Sequence, residues 1–155
     1  MQLGQEVIKL SKLYKGEYKI TSPFGLRNLN GDTRPHKGID CVGIDSKSVI
    51  APTNGLVVSS QIITNKTNFT WEWGNYVKMD DLKGYYLFFC HLANRSVNLG
   101  QRVNKGQLIG IEGQTGYSFG SHLHFEVRRK TNNVSIDPMD YFKILEEWEK
   151  NNYKK

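Results

Sequence analysis

The chain has 155 residues, 38% of them hydrophobic and 23% charged. That length suits one domain that buries a core without disulfide staples, and the composition excludes a wholly disordered chain. Lys and Arg number 21 against 15 Asp and Glu, a net charge of +6, which suits either an anionic surface or plain solubility.

No apolar run reaches the roughly 20 residues that span a bilayer, so membrane insertion is not expected. The opening Met1-Gln-Leu-Gly-Gln-Glu lacks the charged-then-apolar pattern of a signal peptide, and synthesis in the cytoplasm is expected. Cys41 and Cys90 are the two cysteines. Two do not make a disulfide framework, and both read as small buried hydrophobes in a reduced chain.

Residues 5–14 put Val7, Leu10, Leu13 and Tyr14 at helical spacing, which predicts a short helix. Over residues 18–130 the texture changes to short runs of Val, Ile, Tyr and Phe separated by Gly, Asn and Asp. Strands are predicted over 48–51, 55–62, 75–79, 85–91, 107–112 and 122–129. Asp80-Asp81-Leu82-Lys83-Gly84 reads as a hairpin connection between two of them. Asp137-Pro138 marks a helix start, and Tyr141, Ile144, Leu145 and Trp148 then recur on one helical face. Lys150, Lys154 and Lys155 sit near its end, where cations suit the helix dipole. The expectation is a mainly β chain, one domain over 1–155 with a core of about 18–130. An amphipathic helix over about 138–152 packs on it.

The four histidines are His36, His91, His122 and His124. In His122-Leu123-His124-Phe125-Glu126-Val127 the side chains alternate faces along a strand. Leu123, Phe125 and Val127 then face a core, while His122, His124 and Glu126 share the other side. Two imidazoles two residues apart can act on one centre, and imidazole is the commonest metal ligand near neutral pH. In His36-Lys37-Gly38-Ile39-Asp40 a histidine and a carboxylate can both reach a zinc ion, and Gly38 favours a loop entering a strand over a helix. A catalytic zinc site needs three protein ligands and an open position, so this pair requires a partner from elsewhere. His91 ends an apolar strand, where it serves as a cap or, beside a metal, binds substrate or moves a proton.

Together these segments resemble the M23 zinc metallopeptidases, the LytM and lysostaphin-like peptidoglycan endopeptidases. The similarity runs over residues 22–129. It includes Phe24-Gly25-Leu26-Arg27, His36-Lys37-Gly38-Ile39-Asp40, Gly74-Asn75-Tyr76-Val77, His91-Leu92, Gly113-Gln114-Thr115-Gly116 and His122-Leu123-His124-Phe125-Glu126. The resemblance implies a compact antiparallel β domain of the LytM/lysostaphin, duplicated-hybrid-motif-like type. It implies that His36, Asp40 and His124 ligate Zn2+ and that His91 and His122 are catalytic. Glu126 is left as either an outer partner of a ligating histidine or a solvated strand residue.

Two departures stand out. Phe119-Gly120-Ser121 replaces a frequent Thr-Gly-Pro, and the stretch 61–73 is long and carries Phe69, Trp71 and Trp73. These aromatics either form a groove wall or close a satellite core. The implied substrate is a peptide stem or cross-bridge of bacterial peptidoglycan, cut by a monomer acting at the wall. Without a visible signal, release as a phage or prophage endolysin is the expected setting, and a tail-associated lysin is its variant. A non-catalytic activator would lack the full ligand set. Nucleic acid is not an expected partner, because no basic-aromatic platform motif is present.

Overall fold

The structure, a computed structural model, describes residues 7–8, 12–25, 35–64, 71–118 and 120–153. Leu10, Leu26, Arg27, Phe69, Phe119, Lys154 and Lys155 lie outside the described residues.

Twelve strands and one α-helix are described, besides a 3-10 turn at Trp71–Trp73. In chain order they are β1 (Val7–Ile8), β2 (Tyr18–Ser22), β3 (Gly38–Gly43), β4 (Ser48–Ile50), β5 (Gly55–Ile62), β6 (Asn75–Asp80), β7 (Tyr85–Cys90), β8 (Leu92–Arg95), β9 (Arg102–Val103), β10 (Leu108–Glu112), β11 (Leu123–Arg129), β12 (Ser135–Ile136) and α1 (Pro138–Tyr153). The large sheet runs β1-β2-β3-β11-β7-β6-β5-β9, and β12 takes over beside β11 where β3 ends. A small sheet runs β4-β10-β8. Every described pairing is antiparallel.

Period-2 alternation explains why β11 sits at the centre. Leu123, Phe125 and Val127 are fully buried on one face, each worth about 1.5–3 kcal/mol against exposure. They meet Ile39 and Cys41 of β3, Leu87 and Phe89 of β7, and Val77 and Met79 of β6 in one core. The small sheet adds Val49, Leu92 and Ile109 to it. The other face of β11 carries His124, Glu126 and Arg128, and that face holds the site.

The hairpin between β6 and β7 forms where it was expected. Asp80 Oδ1 accepts from Leu82 N at 2.8 Å, and Asp81 Oδ1 accepts from Lys83 N at 2.8 Å and Tyr85 N at 3.0 Å. Such carboxylate-to-backbone bonds fix a turn locally. Asp81 is fully buried, and its second oxygen accepts from the Tyr141 hydroxyl at 2.7 Å, which ties the turn to α1.

Three expectations need correction. The N-terminal segment is not helical where described: Val7–Ile8 pairs with Lys19 and Tyr18, and Tyr14 bridges Val49. Adjacent Leu13 and Tyr14 are both fully buried, so the segment gains more by lying extended against the core than from one helical stripe. On α1 the buried face is Tyr141, Phe142 and Leu145, with Phe142 stacked on Phe125 at 5.9 Å. Ile144 is turned outward and is 41% exposed. Finally, the strand expected over 85–91 forms but ends at Cys90. The chain leaves the large sheet after Cys90, turns at His91, and enters the small sheet at Leu92.

Candidate metal centre

Three segments supply the centre. β3 carries Asp40, β11 carries His124, and the two are directly paired across the sheet. Directly opposed residues on antiparallel strands share a face, so this register alone brings the carboxylate to the imidazole. His36 precedes β3 and is held by a backbone bridge to Gly25, with N···O distances of 2.9 and 2.7 Å. Gly38 lies between them where no side chain fits. A Cβ there would stand 2.3 Å from the Phe125 carbonyl and 3.0 Å from His124 Cε1. A side chain at 38 would force β3 off β11 and pull Asp40 away from His124.

His36 Nε2, Asp40 Oδ1 and His124 Nδ1 converge. His36 Nε2 lies 3.2 Å from both Asp40 Oδ1 and His124 Nδ1, and His124 Nδ1 lies 3.1 Å from Asp40 Oδ1. Ligands about 2.0–2.1 Å from a tetrahedral zinc stand roughly 3.3 Å apart, so the three atoms fit such an ion closely. The remaining ring nitrogens explain why these atoms are available. His36 Nδ1 faces the Pro23 carbonyl at 2.8 Å, which can only accept, so Nδ1 carries the hydrogen and Nε2 is bare. His124 Nε2 donates to Glu126 Oε1 at 3.0 Å, which aims Nδ1 at the centre. Two imidazole nitrogens and a carboxylate oxygen crowd together, and only a cation or a proton stabilises that arrangement.

Without a metal the proton fills that role. Burial, the largest influence, pulls the His124 pKa down, but the carboxylates of Asp40 and Glu126 outweigh it and raise it to about 9. Burial likewise favours the neutral form of Asp40, yet hydrogen bonds from His124 and His36 hold its carboxyl well below the usual range. Glu126 is nearly fully buried. Its pKa is lowered in spite of burial by His124 on one oxygen and Arg128 on the other. Glu126 is thus an outer partner of His124 and not a solvated strand residue.

The other two histidines stand beside this trio. His122 Nε2 lies 3.7 Å from Asp40 Oδ1, while its Nδ1 faces the Gly120 carbonyl at 3.1 Å and Ser118 Oγ at 3.2 Å. The His91 ring stands 4.6 Å from that of His122 and 6.2 Å from that of His124. His91 Nδ1 donates to the Thr115 carbonyl at 2.7 Å, leaving Nε2 free. Burial and the adjoining His122 lower the His91 pKa to about 4, so it is neutral at pH 7. Thr115 is itself pinned: its hydroxyl donates to Leu92 O at 2.8 Å and accepts from Asn75 N at 3.0 Å. Gly74 and Gly116 cross nearby, both at positive φ, and a Cβ on Gly74 would stand 2.5 Å from Gly116 N. That close crossing is a role only glycine fills.

All five site residues expected from sequence therefore lie in one cluster. The parts that sequence reasoning missed are mostly backbone: the carbonyls of Pro23, Thr115 and Gly120. Any residue supplies a carbonyl, so no motif announces them. Glu112 was also missed. It is buried and binds the Tyr14 hydroxyl and Ser121 Oγ, each at 2.5 Å, and Gly43 N at 2.9 Å, so it anchors the loop that carries His122.

Two further expectations resolve here. Trp73 packs on Tyr76 and Phe88 at 5.1 and 5.2 Å, so this aromatic closes a satellite core and is not a free groove wall. The cysteines are free and lie on opposite faces of the large sheet, so they do not meet. Cys41 points into the main core, away from the centre, as strand alternation requires. Cys90 does not: it is paired with His124 and shares its face. The reason is His91, whose φ of 68° ends the alternation counted back from it.

Comparison with known proteins agrees with this geometry. The profile described as Peptidase family M23 matches residues 34–138. Lysostaphin of Staphylococcus simulans is 37% identical over 136 residues, covering 86% of this chain and 26% of that protein. The peptidoglycan DD-endopeptidase ShyC of Vibrio cholerae is 35% identical over 111 residues, covering 70% of this chain and 24% of that protein. The chain thus spans about a quarter of the length of these curated relatives.

Among solved structures, the catalytic domain of S. simulans lysostaphin superposes with a TM-score of 0.68 at 29% identity, covering 81% of this chain and 92% of that one. A zinc-containing peptidase from V. cholerae gives 0.65 at 31%, covering 78% and 36%. The catalytic domain of the prophage-encoded M23 protein EnpA from Enterococcus faecalis gives 0.64 at 27%, covering 78% and 88%. With the profile laid over most of the chain, including every residue of the His-Asp-His cluster and both neighbouring histidines, the chain belongs to peptidase family M23.

Proposed function

We propose that the chain is a zinc-dependent endopeptidase that hydrolyses peptide stems or cross-bridges of bacterial peptidoglycan. The observation that carries this reading is the convergence of three ligand atoms beside two further histidines, one of them held neutral. Relatives named as peptidoglycan endopeptidases supply the substrate class.

His36, Asp40 and His124 would hold the ion. A zinc ion in such a site lowers the pKa of water toward about 7 and polarises a carbonyl. The rest falls to the chain. His91 and His122 each have Nδ1 tied to a carbonyl, and His122 Nε2 lies 3.7 Å from Asp40 Oδ1. One bare Nε2 takes a proton from the attacking water, and the imidazolium so formed returns that proton to the leaving amine. Glu126 and the Pro23 carbonyl fix the ring planes of the two ligating histidines, so no reorientation is required at the moment of reaction.

The setting we infer is host lysis by a phage or prophage enzyme, supported by the similarity to a prophage-encoded M23 domain. The decisive experiment measures zinc per chain and the clearing of purified sacculi with and without chelator. One zinc and chelator-sensitive clearing are expected; metal-free protein that clears sacculi would overturn the reading.

A further inference from the structure

The face of the large sheet that carries the centre continues beyond it. Register places Glu126 beside Phe88, Phe88 beside Lys78, and Lys78 beside Ser59, all on this face. Lys78 Nζ lies 4.2 Å from the centre of the Tyr86 ring and 5.3 Å from that of Phe88. The Arg128 guanidinium lies 4.9 Å over the same Phe88 ring. Two cations thus share one aromatic platform, and both are half-buried.

The carboxylates on this face are already engaged. Glu126 is held between His124 and Arg128. Asp80 accepts from Lys130 Nζ at 2.6 Å and from Leu82 N at 2.8 Å. Lys78 has no carboxylate partner among the described residues. Its pKa is lowered by burial and by Arg128, so its charge lacks the compensation its neighbours enjoy. An uncompensated, half-buried cation at the rim of that aromatic cluster, on the face that carries the centre, can receive an anion.

We propose that Lys78, beside Arg128, receives a carboxylate carried by the peptide substrate three or four residues from the bond that is cut. The spacing follows from the sheet. Two residues along β11 and two strand spacings across separate His124 from Lys78 by about 12 Å, and an extended peptide advances about 3.3 Å per residue. Of the two cations Arg128 is already paired with Glu126, so the receptor offers one uncompensated, half-buried charge against the rings. That suits one carboxylate on a peptide laid across the sheet better than a phosphodiester polymer, which would meet several protruding cations.

This inference rests on the peptidase reading above, and its test separates the two. Purified sacculi are compared with the same sacculi amidated by carbodiimide and ammonium chloride, and with sacculi stripped of phosphodiester polymers by hydrofluoric acid. Binding is read by co-sedimentation, which needs no cleavage, and cleavage by release of soluble fragments. Wild-type protein should half-saturate carboxylated sacculi at about fivefold lower concentration than amidated ones. Stripping should leave that preference intact. Lys78→Gln keeps the packing on Tyr86 and should erase the preference, and Lys78→Arg should restore it. Equal binding to carboxylated and amidated sacculi, or a wild-type preference retained by Lys78→Gln, would overturn the proposal. Loss of binding on stripping would assign the charge to a phosphodiester polymer instead. Preferential binding without cleavage of any sacculus would sink the peptidase reading while leaving the anion receptor in place.

Discussion

His124 and His91 differ in the carboxylates set against them, and the difference sets their charge. His124 donates to a buried carboxylate, Glu126, and with Asp40 on its other side its pKa rises to about 9. His91 donates to a neutral carbonyl, Thr115, and burial beside His122 lowers its pKa to about 4. His91 is 7% exposed and the His124 side chain 12%, and the rings stand 6.2 Å apart. Solvation does not distinguish them; the carboxylates do, Asp40 against the inner nitrogen of His124 first and Glu126 against its outer nitrogen second. A carboxylate makes an imidazole a place for a cation, whether proton or metal, whereas a carbonyl fixes its orientation and leaves it a neutral base.

The largest break comes from removing the cation-holding ring. His124→Ala should lose metal and activity together, by more than the roughly 100-fold that loss of an outer partner costs. Metal per chain and sacculus clearing check both arms, and an active, metal-free variant would end the comparison. Removing the neutral partner should act differently. His91→Ala or His122→Ala should lower kcat by about 10²–10⁴-fold, the worth of proton transfer, while zinc per chain stays near that of wild type. If metal content falls as far as in His124→Ala, these rings are ligands or braces and not proton carriers.

The carboxylate brace is next. Glu126→Gln keeps the shape but replaces the charge, and should weaken zinc binding by about 10–100-fold, measured against a competing chelator. The same brace sets a pH dependence. In metal-free protein His124 is protonated below about pH 9, against an unfolded value near 6.5. A raised folded pKa means this proton's contribution to stability is complete below about pH 6.5 and disappears as pH rises toward 9. The zinc ion must displace the same proton, so apparent affinity should climb about tenfold per pH unit across that window. An affinity flat between pH 7 and 9 would show that His124 is already neutral and that the two acceptors are equivalent.

How much of this was legible follows from which atoms act. Side chains with a period announce themselves: His122, Leu123, His124, Phe125 and Glu126 declared both faces of β11 before any coordinates. The partnership of Asp40 with His124 needed the β3–β11 register, which no local pattern carries, and only family resemblance supplied it. The backbone carbonyls left no trace in the sequence. The face of Cys90 does not follow from alternation counted back from His91, because the positive φ there breaks the count. Ile144 was placed on the buried face of α1 by spacing alone, but the helix rotates to stack Phe142 on Phe125. A ring-on-ring contact of that kind outweighs one aliphatic position.

The smallest predicted effect sharpens the comparison at His122. Its Nδ1 has two neighbours, Ser118 Oγ at 3.2 Å and the Gly120 carbonyl at 3.1 Å, and the Ser118 hydroxyl spends its own hydrogen on that carbonyl at 2.6 Å. Ser118→Ala therefore removes one neutral acceptor while a second remains in hydrogen-bond range, and it frees a lone pair of that carbonyl for the imidazole. The ring keeps its orientation and its neutral surroundings. Under the argument from acceptors, kcat should change by less than about threefold, because only about half a kilocalorie of a neutral hydrogen bond is at stake. The pH profile should keep its shape. A loss approaching that of Glu126→Gln would mean that any acceptor, charged or neutral, matters equally to these rings, and the contrast between His124 and His91 would then need another cause.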